Sequence, residues 1–159
     1  MQLLDGLNDF PFDTLYQVFL ALCFGGLIGY ERERNRKGAG LRTNILICLG
    51  STMITHVSIE FSRHFGFAVS DPSRIAAQIV SGVGFLGAGT ILHQAKGNDS
   101  MISGLTTAAT IWAVAGIGLA LGAGFYWDAF IATMGIYICL AIFSRLRPLM
   151  HTENPLKDD

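Results

Sequence analysis

The chain alternates long uncharged stretches with short segments that hold nearly all of its charge. Five stretches contain at most one Asp, Glu, Lys or Arg: residues 14–30, 43–59, 75–97, 100–127 and 129–144. About 20 mostly apolar residues cross the hydrocarbon core of a bilayer as a helix. A soluble domain of 159 residues has no interior large enough for five such stretches. The pattern therefore predicts an all-α, polytopic membrane bundle. Its five helices are predicted at about 14–30, 43–59, 75–92, 102–121 and 126–143.

The composition agrees with a place in the lipid bilayer. Hydrophobic residues make up 51% of the chain, charged residues only 14%, and the mean hydropathy is +0.45. Soluble chains carry charge on roughly a quarter of their residues. The net charge of −1 gives no basis for a nucleic-acid partner. The three cysteines, Cys23, Cys48 and Cys139, fall inside predicted spans, where we interpret them as small packing residues and not as a disulfide or metal set.

Lysine and arginine are unequally divided between the segments that join the spans. If the N-terminus is outside, the outer side holds only Arg63 and Arg74. The inner side then holds the other nine: Arg32, Arg34, Arg36, Lys37, Arg42, Lys96, Arg145, Arg147 and Lys157. Because cytoplasmic loops are enriched in basic residues, the asymmetry predicts an outer N-terminus and a cytoplasmic C-terminus. Residues 1–143 form the predicted membrane domain, and 144–159 a short polar tail in the cytoplasm.

Seven charged side chains lie between Glu31 and Arg42, directly after the first predicted span. A topology anchor needs only the basic ones, since acidic residues contribute little to orientation. Glu31 precedes Arg34 by three residues, and Glu33 precedes Lys37 by four. Both spacings bring opposite charges together if the helix continues for another turn. Two interpretations stay open: a topology anchor, or an ordered contact surface.

Glycines recur at helical spacing in two of the predicted spans. Gly25, Gly29 and Glu33 share one face, which predicts a close helix–helix contact with a carboxylate at its mouth. The run "GVGFLGAG" at 82–89 matches G-x-G-x-x-G, but it lies within a span with no strand before it, which argues against a dinucleotide site. We interpret these glycines as a small packing face instead. They are Gly82, Gly84, Gly87 and Gly89.

The third predicted span begins with a capping pattern and carries polar residues on one face. Asp71 is suited to cap the helix before Pro72. Arg74, Gln78 and Ser81 follow at i, i+4 and i+7. Because polar groups facing lipid are costly, we expect this face to look into the bundle or a wet cavity. For Gln78 a hydrogen bond to a neighbouring helix and a functional role both stay open.

The fourth predicted span opens with hydroxyl side chains. Ser103 is a candidate N-cap. Thr106 and Thr107 can bond either to their own helix or to a partner helix. Arg42 and Thr43, at the start of the second span, belong with Glu31, Arg32 and Glu33 to the candidate functional set.

Four sequence blocks resemble the MgtC/SapB family of bacterial inner-membrane proteins. They are "GGLIGYERE" (25–33), "AGLRTNILICLGS" (39–51), "RIAAQIVSGVGFLGAGTIL" (74–92) and "GLTTAATIWAVAGIGLALGAG" (104–124). The resemblance implies a multi-pass helical domain in the inner membrane, linked to growth under magnesium limitation, acid stress and survival inside host cells. It also implies action on other membrane proteins, an ATPase among them. Longer members add a cytoplasmic domain after the last span, so we expect a short, SapB-like member.

Three function classes follow from these features. The preferred one is a regulatory, partner-binding membrane protein that affects ion or proton homeostasis, with the loop after the first span as its contact surface. The alternative is a small dimeric transporter or channel. An enzyme is not expected, because the four histidines are dispersed and none has metal-ligand spacing. We expect no cofactor, no bound metal, and self-association as a homodimer through the small-residue faces.

Overall fold

Five helices and short turns make up the described part of the chain. The structure is a computed structural model, and it describes residues 12–65, 71–94 and 103–146. No strand occurs in those ranges. The helices are α1 (Phe12–Arg34), α2 (Leu41–Phe65), α3 (Pro72–Gln94), α4 (Leu105–Gly122) and α5 (Tyr126–Leu146). Each contains the predicted span or overlaps nearly all of it, so the all-α prediction is confirmed. The predicted outer segment before Phe12 and most of the polar tail lie outside the described residues.

The helices have the length and surface of a membrane bundle. Within the described residues, α1 to α4 are long and apolar enough to cross a bilayer, and the apolar stretch of α5, Tyr126–Ile142, is shorter. Large hydrophobic side chains are exposed on all five helices, among them Phe19, Leu46 and Trp127. Such a surface suits lipid as the solvent and not water. The chain is a helical membrane bundle, and the direction in which its helices cross the membrane stays a prediction.

The helix α4 lies at the centre of the bundle. Among the described residues it contacts all four other helices, whereas α3 contacts only α2 and α4, and α5 only α1 and α4. Its buried side chains include Ile111, Val114 and Leu121, which pack into two apolar clusters with α1, α2, α3 and α5. Because successive helices run in opposite directions, the α1–α2 turn and the start of α4 share one end of the bundle.

Glycine allows two pairs of helices to approach at backbone distance. A Cβ on Gly29 would lie 2.7 Å from Leu41 Cα, and one on Gly25 would lie 2.9 Å from the Asn44 carbonyl, so the predicted α1–α2 contact is confirmed. Gly118 and Gly122 of α4 pack in the same way against the α2 backbone, at Cys48 and Thr52. Gly122, the last residue of α4, therefore belongs to a helix contact.

The glycines of α3 behave differently from those of α1. Only Gly87 meets another helix, since a Cβ there would lie 3.4 Å from Ala108 Cβ. Around Gly82, Gly84 and Gly89 a Cβ would find open space. Within the described chain these three glycines do not serve helix packing. Their predicted packing role would require something outside the chain.

The helix ends follow recognisable capping chemistry. Asp71 Oδ1 accepts a hydrogen bond from Ser73 N at 2.9 Å, which confirms it as the cap of α3. A hydrogen bond from the Ser73 hydroxyl, together with this backbone contact, holds the pKa of Asp71 below its usual range. The cap of α4 is Gly104, with φ 95° and no side-chain bond, so the prediction of Ser103 is wrong. Gly124, with φ 82°, ends α4 in a left-handed turn as glycine readily does.

Candidate functional site

Part of the predicted contact surface folds into a largely buried polar cluster at the end of α1. The helix continues to Arg34, one turn beyond the predicted span, and this turn carries Glu31 and Arg32 onto the face that packs against α2 and α4. Only 6% of Glu31 and 4% of Arg32 is exposed. We call Glu31, Arg32, Asn35, Asn44 and Thr107 the loop-end cluster. Two adjacent ionisable side chains are therefore withdrawn from solvent at the membrane boundary.

The Arg32 guanidinium is held by the fourth helix. Its Nη2 donates a hydrogen bond to Thr107 Oγ1 at 2.8 Å, and the contact is buried. Arg32 Nε is also buried and has no partner among the described residues. Of the two predicted threonines, the structure brings Thr107 into the site and leaves Thr106 exposed.

The Glu31 carboxylate is held by an amide that the sequence analysis missed. Asn35 Nδ2 donates to Glu31 Oε1 at 2.6 Å and to the Glu31 carbonyl at 3.0 Å. Glu31 Oε2 is buried without a partner in the described part of the chain. The predicted pair with Arg34 does not form. The burial of Glu31 directs it toward the bundle, while Arg34 is exposed, so that prediction is wrong.

The Glu33 carboxylate connects the first two helices. Glu33 Oε2 accepts a hydrogen bond from the backbone N–H of Leu41, the first residue of α2, at 2.7 Å. This contact places a carboxylate at the mouth of the α1–α2 contact, as the glycine spacing predicted. The predicted pair with Lys37 is wrong because α1 ends at Arg34, and Arg36 turns the chain with a positive φ of 53°. The i, i+4 geometry therefore does not reach Lys37.

Asn44 holds the α1–α2 turn through hydrogen bonds to the backbone of the turn. It is fully buried, and its Nδ2 donates to the carbonyls of Ala39 and Gly40. Its Oδ1 is a third buried atom that lacks a partner among the residues described. The sequence signal was an amide in the first turn of a span, a position where an unpaired polar group would be costly. That signal was available and was not used.

The remaining predicted residues lie outside the cluster. Arg42 and Thr43 are exposed beside it at the start of α2. Asp71 and Arg74 lie at the opposite end of the bundle, at the start of α3. Gln78 and Ser81 are exposed on α3, so the expectation that this face looks into the bundle or a wet cavity is wrong for the single chain. Periodicity showed which residues share a face but not which face packs.

Two polar contacts at the opposite end of the bundle were also missed. Thr14 Oγ1 lies 3.2 Å from His56 Nε2 and joins α1 to α2. Gln17 Nε2 lies 3.4 Å from the Tyr126 hydroxyl and joins α1 to α5. Single hydroxyls and amides in different spans give no sequence signal that they meet. These contacts close the bundle at that end.

The cluster offers unpaired donors and acceptors but no set of metal ligands. Arg32 Nε can donate, whereas Glu31 Oε2 and Asn44 Oδ1 can accept. No group of three His, Cys, Asp or Glu side chains is placed to hold a metal ion anywhere in the described ranges. These atoms are buried in the single chain, so a partner at the end of the bundle would first contact the exposed residues around the cluster, such as Arg34 and Arg42.

Comparison with known proteins places the chain in a family. The MgtC family profile matches residues 18–149. An uncharacterised protein of Haemophilus influenzae is 49% identical over 138 residues, which is 84% of this chain and 55% of that protein. Protein SapB of Bacillus subtilis is 50% identical over 129 residues (79% and 54%). The putative magnesium transporter YhiD of Escherichia coli K12 is 42% identical over 148 residues (89% and 66%).

The matched region is shared, although the relatives are longer. The chain spans between about half and two thirds of the length of these three proteins. No solved structure matches it significantly. The family profile covers α1 after its first turns, all of α2 to α4, and α5. The chain belongs to the MgtC family.

Proposed function

We propose that this chain is a regulatory protein of the bacterial inner membrane that binds a protein partner at the loop-end cluster. Its action affects growth under magnesium limitation or the proton balance of the cell. The observation that carries the proposal is the burial of Glu31 and Arg32 with only part of their hydrogen-bonding capacity used.

A topology anchor alone does not require this arrangement. Exposed basic residues suffice to orient a span, and Arg34, Arg36, Lys37 and Arg42 supply them at the same end. Burying a charged pair removes its hydration, a cost of several kcal/mol per ion that excellent geometry must offset. Retention of Glu31 and Arg32 in a buried position therefore supports a role beyond orientation.

The link to magnesium and to a partner comes from the family. One relative bears the name putative magnesium transporter and others the name MgtC. We propose another membrane protein, such as an ATPase, as the partner of the loop-end cluster. Self-association is proposed for the outward face of α3, where Ser81 and Gly84 are exposed and unopposed. Small and polar residues of this kind allow close helix contact in lipid.

The direct test is growth of a strain lacking the native gene in medium of low magnesium. Arg32→Gln removes the buried charge, and Arg34→Gln removes an exposed charge two residues away. We expect Arg32→Gln to lose complementation at normal protein level in the membrane and Arg34→Gln to retain it. Equal growth of the two variants would contradict the proposal and leave the cluster as a structural anchor.

The transporter alternative is less well supported by the bundle interior. Thr52, Thr55 and Thr110 are buried, but each hydroxyl donates to a carbonyl of its own helix. A magnesium path needs oxygen ligands along its length, usually carboxylates. The described carboxylates lie at or near helix ends: Asp13, Glu31, Glu33, Glu60, Asp71 and Asp128. We expect no Mg²⁺ flux into sealed vesicles that contain the purified protein, and robust flux would favour the transporter.

A further inference from the structure

A groove opens between α2 and α3 on the outside of the bundle. One section has a volume of about 530 Å³ and is lined mainly by apolar side chains, with Gln78 among the few polar ones. A second section of about 470 Å³ adjoins it, and the two share Ile54 and Ile75. Gly50 and Gly82 lie in the lining, where a Cβ would meet nothing within 4 Å. The groove therefore has room for an occupant that the chain itself does not supply.

The length of the groove matches one leaflet of a bilayer. Its lining on α3 runs from Ile75 to Leu86, which is roughly 16 Å at the helical rise per residue. Half of the hydrocarbon core is about 15 Å thick. An acyl chain of one leaflet therefore has the length to lie along the groove.

A basic side chain lies where the phosphate of a phospholipid in the groove would be. Arg74 is exposed at the start of the helix, next to Ile75 at the end of the groove. Its guanidinium forms no ion pair with a described carboxylate, whereas Arg63, the other basic residue at this end, pairs with Glu60 at 2.6 Å. The Asp71 carboxylate lies near Arg74, but it already accepts the Ser73 N–H. Arg74 is therefore able to bind a phosphate.

One buried polar group lies where an ester group of such a lipid would be. Ser58 lines the adjoining section, is 2% exposed, and its hydroxyl has no partner among the described residues. An ester carbonyl would accept a hydrogen bond from this hydroxyl and so satisfy a donor that is costly in lipid. Gln78, one turn deeper than Arg74 and about 6 Å along the axis, borders the groove through the apolar part of its side chain.

We propose that the α2–α3 groove binds one phospholipid, with its phosphate at Arg74, an ester carbonyl at Ser58 and an acyl chain along Gly82 and Gly50. The headgroup end of this site is at the opposite end of the bundle from the loop-end cluster, and the proposal does not depend on the proposed function.

Photolabelling tests the proposal. The purified protein is placed in liposomes that contain phosphatidylglycerol with a diazirine in one acyl chain, irradiated, and digested for mass spectrometry. We expect label to concentrate on peptides from α2 and α3 that line the groove. Gly82→Leu fills the groove and should reduce this label about tenfold, the effect of roughly 1.4 kcal/mol. The matched control is Gly135→Leu, which changes an open, exposed glycine of α5 and should leave the label unchanged.

A second variant keeps the test decisive if Gly82→Leu does not fold. Arg74→Gln removes the phosphate contact without changing the groove and should also lower the label in α2 and α3. Labelling of Arg74→Gln and of folded Gly82→Leu at the wild-type level would overturn the proposal. Label spread evenly over exposed faces, or a groove covered by cross-linked second copies without lipid label, would also overturn it.

Discussion

At the residue scale, the stability of the loop-end cluster depends on the few groups that contact Arg32. Its guanidinium is buried, and Thr107 supplies the one side-chain acceptor found for it in the described ranges. Replacing that hydroxyl by a methyl group of the same shape leaves a charged donor without a partner. The cost of such a loss exceeds that of an ordinary hydrogen bond because the desolvated charge remains.

We therefore expect Thr107→Val to lower the free energy of unfolding in mixed micelles by about 1–2 kcal/mol. The matched control is Thr106→Val, which removes the neighbouring hydroxyl from an exposed position. It should change stability little. The free energies of unfolding of the two variants are compared by unfolding each in increasing detergent fraction and monitoring helix content by circular dichroism. Equal effects of the two variants would show that the Arg32–Thr107 contact does not stabilise the bundle.

At the scale of the elements, the close contact between α2 and α4 depends on a glycine of α4 that has no side chain. A Cβ on Gly118 would collide with the Cys48 carbonyl and lie 2.7 Å from Ser51 Cβ. Backbone atoms cannot move aside as the end of a flexible side chain can. We expect Gly118→Ala to destabilise the protein by roughly 1–3 kcal/mol through overpacking.

Gly116 provides the control on the same helix. A Cβ there meets nothing within 4 Å, and alanine is favoured over glycine in a helix by up to about 1 kcal/mol. Gly116→Ala should therefore be neutral or stabilising. Thermal unfolding in detergent distinguishes the two substitutions. If Gly118→Ala is as stable as Gly116→Ala, the close approach of α2 and α4 is not required.

The stability that the N-terminal cap of α3 gives to the protein should depend on pH. The pKa of Asp71 is lowered by the hydrogen bonds from Ser73, so the ionised carboxylate favours the folded state. This contribution is fully present above the ordinary carboxyl pKa of about 3.9 and is lost as pH falls toward the lower folded value. Asp71→Ala should therefore lower the melting temperature at pH 7, and the difference from wild type should narrow at pH 3. A difference that stays constant with pH would contradict the ionised cap.

The elements could be predicted from the sequence because crossing a bilayer demands long uncharged stretches, and each predicted span became a helix. The position of Glu31 and Arg32 was predictable because charge directly after a span marks the end of the bundle. The packing of α3 was not predictable. Gly82 and Gly89 share one helical face, as Gly25 and Gly29 do. Only Gly25 and Gly29 meet a neighbouring helix, and this difference depends on the tertiary arrangement. Asn44 was missed although an amide in the first turn of a span signals a paired polar group, and its partners, the carbonyls of Ala39 and Gly40, could not be named from the sequence.

At the scale of the whole molecule, the account requires that the α1–α2 turn faces the cytoplasm. The loop-end cluster, the exposed basic residues and the proposed partner surface all lie at that end. Arg63, Arg74 and the α4–α5 turn lie at the other end. The asymmetry of basic residues predicts this orientation, and the fold is compatible with either direction.

Labelling of single cysteines in intact cells tests this orientation most directly. The three native cysteines are replaced by alanine, and Lys37→Cys and Phe125→Cys are introduced separately at the two ends, where both parent residues are exposed. A maleimide that does not cross the membrane should label Phe125→Cys in intact cells and label Lys37→Cys only after the membrane is opened. Labelling of Lys37→Cys from outside, with protection of Phe125→Cys, would contradict the account.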